Sequence, residues 1–466
     1  LPEAFVAAVE RALDSDPSRR HQSVGEFESA LRESLDAPAT RARGEAPLVA
    51  SRRQFGLAFL AAAAVLVALI AGLIVWTGRP SRTEPKIASL AVLPLVDRSG
   101  SLTTGAGDAI PEQMIATLGQ IQSLRTIALG STLPFRESAL SSAEIAKVLG
   151  VDAVLEGTLS ADQASAGGVR LDARLIAAGQ GAILWSGAFG RPRGEVAALL
   201  ADTATALAAA VHAPLTGTET SRLRQPRSTS PEAEEAYLQG RMHLESYGPE
   251  PARRALKSFE RVFEIDPGHP AAHAAAARAY LRLGGTNVLA HNDARLSALA
   301  EVRKALDGGA DIAEAHAALA DIKFLYDWDW RGAEREYRRS LDLNPGFIPA
   351  RKTFAQMLAT RGRFDEALAI SEETRRIDPQ SIDALISHGM LLYYRRDFDA
   401  ANGVAERVLA EAPANPAGSL LAARVAEAEG RFSDGLAVVQ QAWRLAGDGG
   451  VNLRVVVIRL QALSRD

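Results

Sequence analysis

Few side chains in this 466-residue sequence are placed to do chemistry. The chain has no cysteine, which excludes disulfides, thiolate zinc sites and cysteine nucleophiles. His269 and His273 are four residues apart and could share a metal ion, but no third ligand follows them. The glycine-containing run at 105–107 lacks the third glycine and the Lys-Ser/Thr pair of a phosphate-binding loop. We therefore predict no catalytic residue, cofactor site or metal site in this chain.

A second group of side chains suits the binding of a protein or peptide. Stacked helix pairs form a concave surface lined by the first helix of each pair. Charged and aromatic side chains on such a surface fit a peptide or protein partner, although each could equally be a solvated side chain. A repeat period described below places seven residues on or near that surface: Lys352, Gln356, Asp383, Tyr393, Tyr394, Arg424 and Glu427.

The elements that must position these residues follow from a 34-residue spacing. Pro345, Pro379 and Pro413 keep this interval, and a small residue stands twelve positions before each of them. An aromatic residue recurs with the same period at Trp330, Phe364, Phe398 and Phe432. This pattern resembles the tetratricopeptide signature of paired helices. We predict an all-α solenoid over residues 231–466, with about five repeats and a partial one, and with a lengthened turn around residues 284–287.

Residues 87–213 predict a small α/β domain. Strand patterns cover residues 87–95, 125–129, 152–160, 169–177 and 183–189, and helical patterns cover residues 110–121, 142–149 and 195–212. The order β-α-β-α-β-β-β-α implies a mixed sheet with helices packed on it. Residues 214–230, rich in Thr, Ser, Pro and Arg, predict a linker into the solenoid.

Four stretches of this domain, at residues 91–94, 145–152, 155–159 and 183–185, resemble the TolB N-terminal-like domain. The resemblance implies an extracytoplasmic or sensor-attached module with no known active site.

An apolar run without a charged residue extends from Phe55 to Trp76. At about 1.5 Å per residue it reaches roughly 33 Å, against a bilayer core of about 30 Å. We predict one transmembrane helix over residues 55–77, preceded by a juxtamembrane linker over residues 37–54. The basic residues that flank the run do not decide its orientation.

Residues 1–36 predict two short helices that cannot bury their apolar faces alone. They resemble the last two helices of a bacterial serine/threonine protein kinase domain. The matching positions are Arg11-Ala12-Leu13, Asp16-Pro17, Arg20, Ser23, Glu26-Phe27 and Leu31. The resemblance implies that Arg20 is a structural arginine of the kinase lobe, paired with a buried glutamate upstream. It also implies a preceding catalytic domain that uses ATP and Mg²⁺, because this chain lacks the kinase motifs.

Together these patterns predict a multidomain fold class, with kinase C-lobe terminal helices, one transmembrane helix, a small α/β domain and an all-α tetratricopeptide solenoid. They predict the membrane and partner-binding portion of a bacterial receptor-like serine/threonine kinase in the inner membrane. Residues 1–54 would be cytoplasmic and residues 78–466 extracytoplasmic. The formal net charge of -4 argues against nucleic-acid binding.

Several alternatives stay open at this point. The chain could instead be a membrane-anchored repeat scaffold, or the accessory region of an adenylate cyclase or of a winged-helix regulator. The repeats could also lie in the cytosol. Because catalytic motifs are missing from the chain, any enzymatic activity would belong to a parent protein.

Overall fold

The structure is a computed structural model with two compact units, residues 1–82 and residues 83–466. It describes residues 7, 11–12, 23–36, 87–98, 109–162, 168–179, 181–192, 195–223, 230–245, 248–307, 311–413, 415–446 and 451–463. In the first unit, helix α1 spans Val24–Asp36. The Ser23 hydroxyl accepts a hydrogen bond from the Glu26 backbone N–H at 3.2 Å and so caps the start of the helix. Arg20 lies outside the described residues, so its role stays a prediction.

The predicted fold class needs a correction in its transmembrane element. Among the described residues, no helix is long and apolar enough to cross a membrane. The longest of them, Pro249–Ile265, has 17 residues and reaches only about 25 Å, and it carries charged side chains such as Arg253 and Glu260. The predicted transmembrane helix is therefore wrong. So is the single-pass localisation derived from it, which placed residues 1–54 in the cytoplasm and residues 78–466 outside it. Residues 55–77, where the helix was predicted, lie outside the described residues.

The second unit begins with a mixed sheet, as predicted. Its strands are β1 Ser89–Val92, β2 Val96–Asp97, β3 Arg125–Thr126, β4 Ala153–Asp162, β5 Gly168–Ala177 and β6 Ile183–Pro192. Strands β3, β1 and β4 run parallel, and β4, β5 and β6 form an antiparallel meander. The strand predicted over residues 87–95 is broken into β1 and β2 around Pro94, which has no N–H to donate to a ladder.

Helices cover both faces of this sheet. Helices α2 Ala109–Leu118, α3 Leu129–Thr132, α4 Ser142–Leu149, α5 Val196–Ala210 and α6 Gly217–Leu223 belong to this part of the chain. Met114 of α2 and Leu200 of α5 share one core with Leu171 of β5, while Ile145 of α4 packs with Val154 on the opposite face. Ser141 and Glu144 form a capping box before α4, and Gly150 ends the helix in the left-handed conformation with φ 63°. Part of the predicted linker, residues 214–230, is helical. Helix α6 forms there because the side chains of Glu219 and Leu223 are buried.

The rest of the unit is an array of antiparallel helix pairs. The pairs are α7 Pro231–Glu245 with α8 Pro249–Ile265, α9 Pro270–Gly285 with α10 His291–Leu306, α11 Ala313–Leu325 with α12 Trp330–Leu343, α13 Ile348–Thr360 with α14 Phe364–Ile377, α15 Ile382–Tyr394 with α16 Phe398–Glu411, and α17 Pro416–Ala428 with α18 Phe432–Ala446. A single helix, α19 Val451–Leu463, follows. The described residues thus hold six pairs, one more than predicted, because α17 and α18 complete the repeat expected to be partial.

The small residues of the 34-residue period lie where the two helices of a pair cross. Ala333, Ala367 and Ala401 are each 0% exposed. In the first pair the same close approach falls on Gly240, where a Cβ atom would collide with the ring of Phe259. The period predicted from the sequence is therefore a packing constraint, since a larger side chain at these positions would push the helices apart.

The sheet and the array form one body. The core between the sheet and α5 continues without a break into Tyr237 of α7, Phe259 of α8 and Ala276 of α9. The first helix pair of the array therefore has no open apolar end, because the α/β domain covers it.

We expect Ala401→Leu to lower the free energy of unfolding by about 1–3 kcal/mol, since the extra atoms must enter a filled helix crossing. The adjacent residue Ala400 is exposed, and Ala400→Leu should change it by no more than about 0.5 kcal/mol. Urea unfolding followed by circular dichroism measures both. Equal effects of the two variants would contradict the tight crossing.

Candidate partner-binding groove

The array carries a groove on the side lined by first helices, between α13 and α15. It has a volume of about 340 Å³ and is also lined by two residues of α14 that lie behind it. Its floor is apolar and includes Ala355, Ile386, Met390 and Leu391. Met390 is the most adaptable of these, because its unbranched thioether can adjust to different occupants. The groove therefore offers an apolar surface that is partly covered by the array itself.

The rim of the groove is polar, and three of the predicted residues lie on it. Lys352 and Gln356 project from α13, and Tyr394 projects from the end of α15. The Tyr394 side chain is half-exposed, with 50% of its surface open to solvent. Asp383 faces Lys352 across the rim, with 4.0 Å between the carboxylate oxygen and the ammonium nitrogen. At this distance and exposure the pair is weak, so Lys352 remains available to another carboxylate.

Tyr393 does not line the groove. Its ring packs 5.9 Å from the ring of Phe398, in the cluster that joins the fifth pair to the sixth, and meets Tyr394 edge-on at 5.6 Å. It therefore holds Tyr394 in place and acts from behind the rim.

The remaining predicted residues lie farther along the array. The Arg424 guanidinium on α17 is 3.6 Å from the sulfur of Met390, so it touches the groove floor from the next repeat. Glu427 forms an ion pair with Arg459 of α19, which commits it to packing the end of the array. Three of the seven predicted residues thus line the groove: Lys352, Gln356 and Tyr394. Asp383 and Arg424 contact lining residues, whereas Tyr393 and Glu427 pack elsewhere.

The sequence reasoning missed the residues that α14 and the inner side of α13 contribute. Ser371 and Thr374 reach the groove from a second helix, where the period mapping places no lining residue. Arg351 lies beneath Lys352, and its Nε donates to the Pro345 carbonyl at 2.6 Å. Burial lowers the pKa of the Arg351 guanidinium below its ordinary value. The floor residues Ile386 and Met390 could have been found from the sequence, because they form an i, i+4 stripe with Tyr394.

The two histidines considered as metal ligands have structural contacts instead. The His269 Nδ1 accepts a hydrogen bond from the Ala272 N–H and so caps α9. His273 lies 2.5 Å from a carboxylate oxygen of Glu301 and 2.8 Å from the Pro267 carbonyl oxygen. These contacts tie α9 to α10 and to the preceding turn.

The α/β domain contacts the array directly behind the groove. The Ala128 N–H donates to the Ile377 carbonyl at 2.8 Å, and Arg125 Nη1 donates to the Arg376 carbonyl at 3.0 Å. Carbonyls in the last turn of a helix lack partners within the helix, and a cation there also interacts favourably with the helix dipole. The domain therefore caps the C-terminus of α14.

The preceding second helix, α12, is capped in the same way one period earlier. Gln122 Nε2 donates to the Asp342 carbonyl at 3.1 Å, and Arg222 Nη1 donates to the Leu343 carbonyl at 2.6 Å. These two carbonyls stand 34 positions before those of Arg376 and Ile377. The domain thus contacts equivalent positions of two successive repeats.

Asp378 connects this contact to the groove. The Ser131 hydroxyl donates to the Asp378 carboxylate at 2.6 Å and accepts from the Gln380 N–H at 2.9 Å. Burial raises the pKa of Asp378 above its ordinary value, while hydrogen bonds from Ser131 and Ser381 and the charge of Lys352 oppose that rise. A groove residue and the α/β domain therefore act on the same buried carboxylate.

No family model matches the sequence. Over 215 residues the chain is 28% identical to "Putative adenylate cyclase 3" of Rhizobium meliloti (strain 1021), covering 43% of this chain and 36% of that protein. The chain therefore spans about a third of the length of this curated relative.

Solved structures with likeness to the chain include tetratricopeptide proteins. Pseudomonas aeruginosa PilF is 18% identical, with a TM-score of 0.37 over 50% of this chain and 97% of that chain. YrrB, described as a TPR protein with an unusual peptide-binding site, is 21% identical, with a TM-score of 0.28 over 40% and 88%. At these TM-scores the superpositions carry no argument about a site. The assignment of a tetratricopeptide-like solenoid is supported by the 34-residue spacing and the observed helix pairs.

We expect Ser131→Ala to destabilise the protein in a pH-dependent way. The variant removes the acceptor of the Gln380 N–H, which costs the same at every pH, and the donor to Asp378, so the pKa of Asp378 should rise further. A raised pKa in the folded state means that the stabilising contribution is present below the unfolded pKa of 3.8 and is lost as pH rises through the folded value. The loss of unfolding free energy should therefore be about 1–3 kcal/mol at pH 7 and smaller near pH 4.

Ser221→Ala is the matched control, because Ser221 is exposed on α6 and bonds only its own helix. Urea midpoints at pH 4 and pH 7 measure both variants. A loss in Ser131→Ala that does not vary with pH would contradict the role given to Asp378.

Proposed function

We propose that this chain is a protein-binding scaffold whose groove between α13 and α15 holds an extended peptide segment of a partner protein. The observation that carries the proposal is a groove of about 340 Å³ with an apolar floor and a charged, aromatic rim. A core of apolar contacts surrounded by polar groups is the usual anatomy of a protein interface. The tetratricopeptide-like solenoid supplies the rigid concave surface on which such grooves are built.

The chemistry of the groove favours a peptide with an apolar side chain next to an acidic one. Ile386 and Met390 give the floor a place for the apolar side chain. Lys352 pairs only weakly with Asp383 across 4.0 Å, so a peptide carboxylate can compete for its ammonium group. Tyr394, half-exposed at the rim, supplies the aromatic contact that often dominates such interfaces.

The proposal is tested with peptides selected from a random library on the full chain. For a selected peptide, Tyr394→Ala and Lys352→Glu should each weaken the dissociation constant by roughly tenfold or more, because each removes a central contact or reverses a charge. Trp328→Ala and Lys257→Glu are the matched controls: the first replaces an aromatic that is 74% exposed, and the second an exposed lysine on α8.

Fluorescence anisotropy with labelled peptide measures all four variants. The proposal fails if selection yields no peptide, or if the groove variants bind as tightly as the controls. Thermal unfolding of each variant separates lost binding from lost folding, which matters because Lys352 and Tyr394 are only partly exposed, at 39% and 50%.

We further propose that the scaffold serves a signalling enzyme, for which two classes have support. The pattern from Arg11 to Leu31 resembles the end of a serine/threonine kinase domain, and such a kinase would use ATP and Mg²⁺. The similarity to a putative adenylate cyclase supports a cyclase instead.

The gene that encodes this chain, expressed from its own start codon, separates the two classes. Transfer of ³²P from ATP to serine or threonine in the presence of Mg²⁺ is the result expected of the kinase. Formation of cyclic AMP without such transfer would overturn the kinase and favour the cyclase. Neither result bears on the groove, which is tested separately.

A further inference from the structure

A second cavity, which we call the junction cavity, lies where the α/β domain meets the array. Its volume is about 100 Å³, and its walls come from α2, α6, α7, the starts of α9 and α11 and the end of α12. A cavity of about 150 Å³ holds the six carbon atoms of benzene, so this smaller space fits a compact molecule of roughly four or five non-hydrogen atoms. The junction cavity is separate from the groove and shares none of its lining residues.

Buried amides line the junction cavity without using their hydrogen-bonding capacity. Gln113 is 5% exposed, and its side-chain amide makes no hydrogen bond with any residue that the structure describes. Asn344 is 6% exposed; its Oδ1 accepts from the Gly346 N–H, and its Nδ2 donors have no partner in the described part of the chain. Neither amide is among the side-chain groups that lack both a partner and accessible surface, so each can still hydrogen-bond a molecule in the cavity. These two amides therefore offer binding groups to an occupant.

Further donors surround the same space. Arg222 lines it, and its Nε is buried without a hydrogen-bond partner in the described structure, while Nη1 is held by the Leu343 carbonyl. Helix α11 begins at the wall, and Ile312 at its N-cap offers no side-chain acceptor to the N–H groups of the first turn. Donors that converge on one space from an arginine, amides and a helix N-terminus suit a carboxylate.

The acidic residues of the wall limit the ligand to a small one. Asp311 is engaged with His316 and Arg339, and Glu314 lies 3.7 Å from Arg241. Their charges would repel a polyanion but can accept hydrogen bonds from an ammonium group.

We propose that the junction cavity binds a small organic carboxylate, of two carbons by its volume. Its carboxylate is held by Arg222, Gln113 and Asn344, and the nearby Asp311 and Glu314 suit the ammonium group of an amino acid. Because both the α/β domain and the array form the walls, such a ligand stabilises their contact by mass action. The proposal is independent of the groove and of its peptide.

Isothermal titration calorimetry of the full chain tests the junction cavity. The probes are the two-carbon carboxylates glycine, glycolate and acetate and the three-carbon carboxylates pyruvate and lactate, with inorganic phosphate as the comparison anion. We expect at least one carboxylate to bind with a sub-millimolar dissociation constant and to raise the melting temperature. Gln113→Met should weaken that binding roughly tenfold or more. Since Gln113 has no hydrogen bond to lose, this variant should fold as well as the wild type.

Gln356→Met is the matched control, because it changes the same residue type in the groove and should leave carboxylate binding intact. Ala116→Met, which fills the junction cavity from its wall, should abolish binding through volume alone. Binding of none of the five carboxylates would overturn the proposal. So would equal binding of phosphate, or carboxylate binding that survives both Gln113→Met and Ala116→Met.

Discussion

The close crossing of paired helices is the constraint on which the rest of this structure depends. No helix pair of the array can bury its apolar face alone, so each pair needs a neighbour at a fixed distance. Within each pair, Ala333, Ala367 and Ala401 let the two helices cross closely, because they leave no side chain beyond Cβ between the helices. The regular stacking that results places the first helices of neighbouring pairs side by side. The groove between α13 and α15 is the space that this spacing leaves open.

The α/β domain uses the same regularity. It donates hydrogen bonds to carbonyls of Asp342 and Arg376, which occupy equivalent positions at the ends of two successive second helices. An arginine accompanies each contact, Arg222 at α12 and Arg125 at α14, so each helix end receives a positive charge. Contacts at two points one repeat apart tie both helix ends to the same domain. The domain therefore holds the ends of α12 and α14 as well as covering the first pair.

Most of the repeat architecture could be predicted from the sequence, because a period fixed by packing is visible as spacing. The interval between Pro345, Pro379 and Pro413 predicts the repeat boundaries, and the helical pattern over residues 142–149 predicts α4. The last repeat is expected to be partial from the sequence, although Phe432 and Gly435 keep the period, since no proline follows Pro413 after another 34 positions.

The tertiary contacts could not be predicted. Local pattern does not show that residues 217–223 would form a helix against the array, nor that Ser131 and Asp378 would meet across 247 positions of sequence. The groove was found only in part, because Lys352, Gln356 and Tyr394 follow from the period whereas Ser371 and Thr374 come from a second helix. The predicted transmembrane helix rested on the composition of a single segment, Phe55 to Trp76.

Hydrogen exchange measured by mass spectrometry, with and without a bound peptide, tests the central claim most directly. The account predicts that the peptide slows exchange in α13 and α15, with the neighbouring α14 affected less and α8 and α10 unchanged. Protection that excludes residues 348–360 and 382–394, wherever else it falls, would contradict the assignment of the groove as the partner site.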